Sequence, residues 1–442
     1  MKRLLLVNPP QTYLSSPGVQ PPIGLLYIAA TVREWTDWSV EVIDCSGDDA
    51  DEVAGIVEDC LTDEGDVIGF TCVSLDIPIV NDIAAELKNE GCRAKLIVGG
   101  VGATLSWDHL DGVVWDHIFV GEAELAVPEF LRGLEAGAPQ DWIILCEPPN
   151  NLDELPLPAR DLLVVQGGNI WARGRKLVEG TSSVVLTARG CPNNCAFCSA
   201  RAILRRLKDI KFGLKTLRKR NVNEVRREIE LARDELNIRS LRFSDETFNA
   251  DANRLEALCA ALKDAGVLWR VSCRTRPSNV GMWARMRDAG CREVSFGVEC
   301  ADQRVLDLLD KRATVEDAAK AIKDAREAGL TVRALFMVGL PGETDETMEL
   351  NKRFFKENPA DLVSLTRFMP LPGTPIWNEP WKFGARLLVR DLKKYNFMTY
   401  CKDEENKIHD IIEYSGIPAK DVARHIAEMR QFLTDEGLIN HG

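Results

Sequence analysis

Three cysteines in one short run, Cys191, Cys195 and Cys198, constrain this 442-residue chain more than any other feature. Three thiolates this close can hold one 4Fe-4S cluster, and with no fourth cysteine nearby one iron stays free to bind a small molecule through an amine and a carboxylate. Zinc is an alternative, but it generally takes a fourth side-chain ligand and usually comes with paired C-x2-C units. Three ordinary buried thiols are the other alternative.

The C-x3-C-x2-C spacing resembles the signature of the radical SAM enzymes. The match includes Phe197, the aromatic residue before the last cysteine, which in that family lies against the adenine of S-adenosylmethionine. The resemblance implies that Cys191, Cys195 and Cys198 are the metal ligands at the catalytic centre. It also implies that S-adenosylmethionine binds to the fourth iron.

Composition fits a globular enzyme of two or three domains, with 45% hydrophobic and 28% charged residues. The net charge of -13 argues against nucleic acid or an anionic membrane as a general partner, because phosphate binding requires clustered Lys and Arg. No signal peptide or membrane span is evident, and we expect a cytoplasmic protein. The 13 cysteines are scattered through apolar segments, which suits buried thiols and cluster ligands in a reducing compartment.

Residues 1–146 alternate apolar strands with amphipathic helices, which predicts an α/β domain with a doubly wound, Rossmann-like parallel sheet. Helical patterns include Leu25–Glu34 and Val80–Glu90. Ligands of such sheets bind beyond the carboxyl ends of the strands, where glycines allow close approach. The predicted strands are Arg3–Asn8, Ser39–Asp44, Asp66–Ser74, Ala94–Gly99 and Asp116–Gly121.

The loops at these strand ends, each of which could also be a simple tight turn, together resemble the cobalamin-binding domain of many radical SAM proteins. The resemblance departs at Gly102, where relatives commonly have histidine, and at Ala123, where they have glycine. No Asp-x-His-x-x-Gly motif follows the first strand, and His109 and His117 are interpreted as surface or loop histidines, so the lower face of cobalamin would lack a protein histidine. The residues implied as cobalamin contacts are Asn8, Pro9, Pro22, Gly24, Leu25, Ser74, Asp76, Gly99, Gly100, Ala103, Thr104, Gly121 and Glu122.

Prolines break residues 147–181 into a predicted linker, and residues 182–380 then resume the strand and helix alternation. Six units predict a partial, TIM-like (β/α)6 barrel, with one helix capped by Thr314 and Asp317 and ending at Gly329. Residues 381–442 are predicted to form a helical cap, including helices at Asp403–Tyr414 and Ala419–Glu436. The predicted barrel strands are Ser183–Thr187, Arg239–Ser244, Trp269–Cys273, Glu293–Val298, Thr331–Val338 and Leu362–Phe368.

Chemistry in barrels lies at the carboxyl ends of the strands, and charged or glycine-rich segments occur at these ends here. Any one of these charged residues, taken alone, is more often a solvated charge or part of a structural salt bridge. Because they recur after one strand after another, as in the family, the resemblance implies that they contact S-adenosylmethionine. Glu246, with Asp245 second, is implied for the methionyl amine, and Arg274 and Arg276 for the carboxylate. Glu299 is implied for the ribose hydroxyls, and Gly339 and Gly342 for adenine.

Two further features have alternative interpretations. Nine cations lie in residues 201–220; a solvated helix face is the simplest interpretation, and contact with an anionic substrate is the alternative. Cys273, Cys300 and Cys401 could be core thiols or could hold an auxiliary cluster.

The resemblance implies one-electron cleavage of S-adenosylmethionine to methionine and a 5'-deoxyadenosyl radical, which abstracts hydrogen from an unactivated carbon. We expect the electron to come from a donor such as a flavodoxin or ferredoxin. With cobalamin between the domains, the first hypothesis is methylation of a small molecule in secondary metabolism. The second is a non-methylating cyclisation, rearrangement or sulfur insertion. The third is a noncatalytic cobalamin-binding sensor.

Overall fold

The computed structural model describes residues 2–11, 14, 21–59, 65–163, 181–209, 215–395, 412–414 and 419–439. They form two compact units. The first contains the described residues up to 163 together with 202–209, 215–218 and 395, and the second contains 181–201, 219–394, 412–414 and 419–439. Most of the basic helix after the cysteine loop, which the sequence placed within 182–380, therefore belongs to the first unit.

The first unit is built on a six-stranded parallel sheet of order β2-β1-β3-β4-β5-β6. Its strands are β1 (Arg3–Asn8), β2 (Ser39–Asp44), β3 (Val67–Thr71), β4 (Lys95–Gly99), β5 (His117–Gly121) and β6 (Ile143–Cys146). Its helices are α1 (Ile23–Trp35), α2 (Ala50–Asp59), α3 (Ile77–Asn89), α4 (Val101–Ser106) and α5 (Ala126–Glu135). Strand β1 has β2 on one side and β3 on the other. The direction in which successive strands are added to the sheet therefore reverses at β1, as in a doubly wound fold.

Strand β1 shows why this sequence forms a central strand. Leu4, Leu5, Leu6 and Val7 are each no more than 3% exposed, as expected where a parallel sheet is covered on both faces. The five predicted strands are confirmed, with small changes at their ends. Strand β6 was not predicted: it is a four-residue edge strand, and Leu145 is 51% exposed.

The second unit has six parallel strands in the order β14-β13-β12-β11-β10-β7. The strands from residue 181 onward are β7 (Thr181–Val185), β8 (Ala188–Arg189), β9 (Arg218–Lys219), β10 (Ile238–Phe243), β11 (Leu268–Cys273), β12 (Cys291–Glu299), β13 (Thr331–Val338), β14 (Leu362–Arg367), β15 (Ala385–Leu387) and β16 (Ile412–Tyr414). The helices are α6 (Ser199–Asp209), α7 (Val222–Leu236), α8 (Ala252–Ala265), α9 (Val280–Asp288), α10 (Gln303–Leu308), α11 (Val315–Glu327), α12 (Asp345–Glu357), α13 (Pro375–Asn378) and α14 (Ala419–Asp435).

This strand order never reverses, so the sheet winds in one direction, as the predicted partial barrel requires. One face of the strands joins the hydrophobic core, as the fully buried Trp269 and Phe336 show. The other face carries polar groups: Arg333 Nε bonds Glu293 Oε1 at 3.1 Å, and Arg333 Nη1 bonds Ser364 Oγ at 2.9 Å. All six barrel strands predicted from the sequence are confirmed, with ends that shift by one or two residues.

Helix boundaries follow local signals. Helix α11 begins with the predicted capping box: Thr314 Oγ1 accepts from Asp317 N at 3.1 Å, and Asp317 Oδ2 accepts from Thr314 N at 2.9 Å. Gly329 follows with φ +83°. Helix α14 confirms the last predicted helix.

The helix predicted over Asp403–Tyr414 is wrong at its end. Ile412–Tyr414 is strand β16, which pairs antiparallel with β15. Residues 403–411 of that prediction lie outside the described residues. Within the described ranges, none of the helices combines the length and the apolar character that a bilayer crossing requires.

Thr314→Ala should lower the free energy of unfolding by about 1 kcal/mol, because the first turn of α11 loses its side-chain cap. Urea unfolding followed by circular dichroism measures the change. Glu316→Ala, in the same turn at an exposed position, is the control and should change the free energy by no more than about 0.5 kcal/mol. Equal losses in both variants would contradict a capping role for Thr314.

Candidate functional site

The cysteine loop follows β7 and β8, at the carboxyl end of the first barrel strand. Backbone hydrogen bonds hold it on two sides. Ala196 N donates to Leu309 O at 2.9 Å, and Ile376 N donates to Ala196 O at 3.4 Å. The loop conformation is therefore set by the turn after α10 and by the start of α13.

The three thiols of this loop lie close enough to affect one another. Cys195 is buried, and Cys191 and Cys198 are half-buried. The pKa of Cys198 is raised, chiefly by burial and in part by Cys195 and Cys191. The described residues contain no group of three His, Cys, Asp or Glu side chains arranged for a single metal ion. A donor set of three neighbouring thiols without a fourth suits a cubane cluster, which binds each thiolate to a different iron.

Polar side chains contact two of the sulfurs. Thr247 Oγ1 lies 3.1 Å from Cys191 Sγ, and Asn193 Nδ2 donates to the same sulfur at 3.3 Å. Arg274 Nη1 donates to Cys195 Sγ at 3.6 Å. These sulfurs therefore have hydrogen-bond donors beside them, as thiolates require.

Asp245 and Glu246, at the end of β10, have different environments. Asp245 is buried and accepts bonds from both Thr187 N, at 2.7 Å, and Thr187 Oγ1; burial raises its pKa to about 6. Glu246 is exposed, and its Oε2 accepts from Gly190 N at 3.1 Å. Asp245 thus holds the end of β7, whereas Glu246 reaches the cysteine loop with an accessible carboxylate.

The structure does not bring Arg274 and Arg276 together at one carboxylate site, which corrects the prediction. The Arg274 guanidinium donates to Lys311 O and to Arg312 O besides Cys195. Arg276 is exposed, and its Nη1 lies 3.5 Å from Oδ2 of Asp317 at the start of α11. Both residues lie beyond the end of β11 at Cys273, so strand geometry does not keep their side chains on one face.

Glu299, at the end of β12, forms a buried ion pair with Lys311 that the sequence did not predict. Lys311 Nζ lies 2.6 Å from Glu299 Oε1, and the two side chains are 7% and 13% exposed. Lys311 Nζ also lies 5.8 Å from the centroid of the half-buried Phe197 ring. Gly297 provides space for the pair, since a Cβ there would lie 2.5 Å from Glu299 Oε1. Two of the predicted S-adenosylmethionine contacts therefore share one lysine.

Gly339 and Gly342 follow β13 with φ +91° and +86°. The Gly339 N–H donates to Glu343 Oε2 at 2.7 Å, so it is already engaged. Glu343 is buried, and burial raises its pKa to about 8. This turn presents backbone at the strand end, as predicted, but a buried carboxyl group holds it.

The first unit has an apolar cavity of about 150 Å³ at the carboxyl ends of β1, β3, β4 and β5. This is the position where the strand order reverses and where ligands of doubly wound sheets bind. Six of the predicted cobalamin contacts line it: Gly24, Leu25, Gly99, Gly100, Gly121 and Glu122.

The other seven predicted contacts do not line this cavity. Three of them bond within the unit: Asn8 Nδ2 to Asp44 Oδ1 at 2.7 Å, Asp76 Oδ2 to Val73 N at 2.8 Å, and Thr104 Oγ1 to Gly100 O at 2.8 Å. Four are placed around the strand ends and helix starts: Pro9, Ser74 and Ala103 are buried, and Pro22 precedes α1. These residues shape the loops beside the cavity.

Family models match both units. The radical SAM superfamily model matches residues 185–354, and the B12 binding domain model matches residues 13–131. This chain is a radical SAM protein with a B12-binding domain. Its cofactors are a 4Fe-4S cluster, S-adenosylmethionine and cobalamin.

Relatives and solved structures agree. An uncharacterized methyltransferase of Pyrococcus horikoshii is 29% identical over 89% of this chain and 86% of its own length. Anaerobic magnesium-protoporphyrin IX monomethyl ester cyclase of Rubrivivax gelatinosus is 25% identical over 86% of this chain and 70% of its own. The structure of the radical S-adenosylmethionine methyltransferase TsrM from Kitasatospora setae, with cobalamin and a [4Fe-4S] cluster bound, superposes with a TM-score of 0.66 at 19% identity, over 88% of this chain and 81% of that one. At that identity the structural likeness shows the fold alone.

In this radical SAM protein, the backbone around Gly102 leaves no room for a side chain. A Cβ at Gly102 would lie 2.6 Å from Val73 O, because the loop after β3 occupies that space. Among the described residues, no histidine lines the cavity. His109, interpreted as a surface or loop histidine, is half-buried and ends a short 3-10 helix between α4 and β5. His117 was interpreted wrongly: it is buried at the opposite end of β5 and contacts Asp141 O at 2.8 Å.

Glu122, at the cavity of the B12-binding domain, is paired with Arg218, which also donates to Pro149 O at 2.6 Å. The next cations of the basic run are paired too: Lys219 with Asp251, and the buried Arg220 with Glu228. Arg205 and Lys208 on α6 are exposed. The run thus divides into structural ion pairs and a solvated helix face.

The candidate auxiliary cysteines do not converge in the described residues. Cys273 is buried beside Cys259 and Cys291, whereas Cys300 is buried beside Glu343 and 3.6 Å from Asn351 Oδ1. Burial raises the pKa of both thiols, as expected for core cysteines. Cys401 lies outside the described residues.

Sequence reasoning missed the apolar lining of the cavity, including Leu6, Gly69 and Phe119. Gly69 had a usable signal, since a lone glycine inside a strand suggests close approach. A Cβ at Gly69 would lie 3.1 Å from Leu6 Cδ2 and 3.3 Å from Ile97 Cγ1. Lys311 had no signal, because its pairing with Glu299, 12 positions earlier, depends on how the chain folds back after α10.

Gly102→Ala should destabilise the B12-binding domain by about 2 kcal/mol, because the new methyl group would overlap Val73 O. Gly55→Ala in α2, where nothing lies within 4 Å, should instead stabilise it by about 0.5–1 kcal/mol. Urea unfolding of both variants tests the difference. Equal stability of Gly102→Ala and the wild type would show that the loop after β3 moves freely.

Glu343→Gln should reduce the pH dependence of stability. The pKa of Glu343 is about 8 when folded, against an ordinary value of 4.5, so the folded protein holds the extra proton between these values. Its contribution to stability is therefore greatest below pH 4.5 and falls as the pH rises to 8, by about 1.4 kcal/mol per pH unit. Urea unfolding from pH 5 to 8 should show wild type losing stability relative to Glu343→Gln. The exposed Glu346→Gln is the control and should follow the wild type.

Proposed function

We propose that this protein is a cobalamin-dependent radical SAM methyltransferase that methylates an unactivated carbon of a small molecule in secondary metabolism. The observation that carries the proposal is the presence, in one chain, of the three-thiol loop at a barrel strand end and of the apolar cavity at the switch point of the B12-binding domain. The names of several relatives support it, since an uncharacterized methyltransferase of Pyrococcus horikoshii and the hopanoid C-3 methylase of Methylococcus capsulatus are both methyltransferases by name.

When bound, the cluster supplies one electron for cleavage of S-adenosylmethionine, and cobalamin supplies methyl transfer. Cys191, Cys195 and Cys198 would hold the cluster. Glu246, exposed beside the loop, would accept a hydrogen bond from the methionyl amine. The electron would come from a flavodoxin or ferredoxin.

Glu299, at the end of β12, would accept hydrogen bonds from the ribose hydroxyls. Its second carboxylate oxygen is the one suited to this role, because Oε1 is bonded to Lys311. Phe197, beside the same lysine, would lie against the adenine, with Gly339 and Gly342 at the adjoining strand end. Thus Lys311 would hold one wall of the S-adenosylmethionine site.

The cavity of the first unit would suit one part of cobalamin, the flat aromatic base at the end of its nucleotide. Its walls are mostly aliphatic and aromatic, and glycines line one edge. A volume of about 150 Å³ is too small for the corrin ring, so the ring would lie outside it.

Non-methylating radical chemistry is the second candidate. The observation that favours it is the likeness to the Rubrivivax gelatinosus cyclase over 86% of this chain. The exposed face of α6, with Arg205 and Lys208, is compatible with an anionic substrate in either case.

Metal analysis after anaerobic reconstitution with excess cobalamin tests the proposal. We expect about four irons and about one cobalt per chain, and formation of 5'-deoxyadenosine after reduction with S-adenosylmethionine. Replacing Cys191, Cys195 and Cys198 together by alanine should remove the iron and leave the cobalt. Cys92→Ala, which replaces a half-buried cysteine of the first unit, is the matched control.

Different outcomes separate the alternatives. About eight irons without cobalt would contradict methylation and favour an auxiliary cluster with other radical chemistry. Cobalt without 5'-deoxyadenosine would favour the noncatalytic cobalamin-binding protein.

A further inference from the structure

Side-chain hydrogen-bond donors lie beside two of the three sulfurs of the cysteine loop, and the proposed function gives these donors no role. Arg274 Nη1 lies 3.6 Å from Cys195 Sγ, and Asn193 Nδ2 lies 3.3 Å from Cys191 Sγ. Thr247 Oγ1 lies 3.1 Å from the same Cys191 sulfur. Two of the three sulfurs therefore have partners, and one partner carries a positive charge.

The Arg274 guanidinium is held in place before any cluster binds. Its Nη2 donates to Lys311 O and, at 3.4 Å, to Arg312 O. Its backbone is fixed as well, since Arg274 N donates to Asn249 Oδ1 at 3.0 Å and Asn249 Nδ2 donates to Arg274 O at 2.9 Å. With both ends of the residue fixed, Nη1 is directed at Cys195 without reorganisation.

Thr247 has one hydroxyl proton and two neighbours. Its Oγ1 lies 2.7 Å from Glu246 O and 3.1 Å from Cys191 Sγ. A protonated Cys191 can donate to this oxygen, but a metal-bound thiolate can only accept. Asn193 has no such ambiguity, because its amide N–H can only donate, so it is the better probe of Cys191.

We propose that Arg274 and Asn193 set the reduction potential of the cluster by donating hydrogen bonds to its thiolate sulfurs. Reduction adds one electron and makes the sulfurs more negative, so an N–H donor stabilises the reduced form more than the oxidised one. A positive donor at Cys195 and a neutral donor at Cys191 both raise the potential, and Arg274 contributes more. This inference rests on the cluster of the proposed function and assigns Arg274 a role other than binding the methionyl carboxylate.

Redox titration of the reconstituted holoenzyme, followed by the electron paramagnetic resonance signal of the reduced cluster, tests the inference. Arg274→Gln should move the potential to more negative values by at least the equivalent of a tenfold change in the reduction equilibrium, which is 59 mV for one electron. Asn193→Ala should produce a smaller shift in the same direction. Arg274→Lys keeps the charge but loses the planar fork, so its potential should lie between those of wild type and Arg274→Gln.

Arg312→Gln is the matched control for charge alone. Arg312 lies close enough to Cys195 to interact with it electrostatically, but its guanidinium is exposed and bonds Asp310 at 2.8 Å. Its removal should shift the potential by less than half of the Arg274→Gln shift, because solvent screens an exposed charge. Equal shifts in Arg312→Gln and Arg274→Gln would overturn the hydrogen-bond account.

Iron content separates the remaining outcomes. An Arg274→Gln protein with four irons and the wild-type potential would overturn the inference and leave the proposed function intact. If Arg274→Gln fails to retain iron, Asn193→Ala decides, and a wild-type potential in that variant overturns the inference. Absence of iron from the wild-type protein would remove the proposed function and this inference together.

Discussion

Parallel strand pairing is the constraint on which the rest of this structure depends. Each of the two large sheets is parallel throughout, so within each unit all carboxyl ends gather at one edge. In the barrel this edge is held by contacts between loops, such as the buried Asp245, which accepts from the Thr187 hydroxyl and amide. Asn249 makes the equivalent connection to Arg274. The cysteine loop is thus built on strand ends that are already fixed.

Local signals made the strands, α11 and the cysteine loop predictable. Continuous apolar runs identify buried strands, and Thr314 with Asp317 identifies a helix start, because these signals act within a few residues. Strand β6 and Ile412–Tyr414 were not predictable in this way. Each is three or four residues long and is stabilised by a partner strand distant in sequence, such as Ala385–Leu387 for the latter.

The chemistry of the site was predictable by residue type and less so by role. The thiols and the Glu246 carboxylate lie at the barrel strand ends, as the pattern indicated. Sequence cannot show which charges are already neutralised. Glu122 pairs with Arg218 across 96 positions. Glu299 pairs with Lys311, which lies in the turn after α10, where Asp310 and Arg312 have positive φ. Ion pairs of this kind depend on tertiary approach, which a single sequence does not encode locally.

Electrostatic balance around the cysteine loop accounts for these pairs. Three thiolates on a 4Fe-4S core leave a net negative charge, and reduction adds another. Glu246 follows β10 and Glu299 ends β12, and their negative charges would oppose that of the cluster. Lys311 neutralises Glu299, with its Nζ 2.6 Å from Glu299 Oε1. The positively charged guanidinium of Arg274 donates a hydrogen bond to Cys195 Sγ. Since Arg274 is also bound to the carbonyl of Lys311, one turn of backbone positions both cations, and a change in that turn would alter the sulfur environment and the Glu299 wall together.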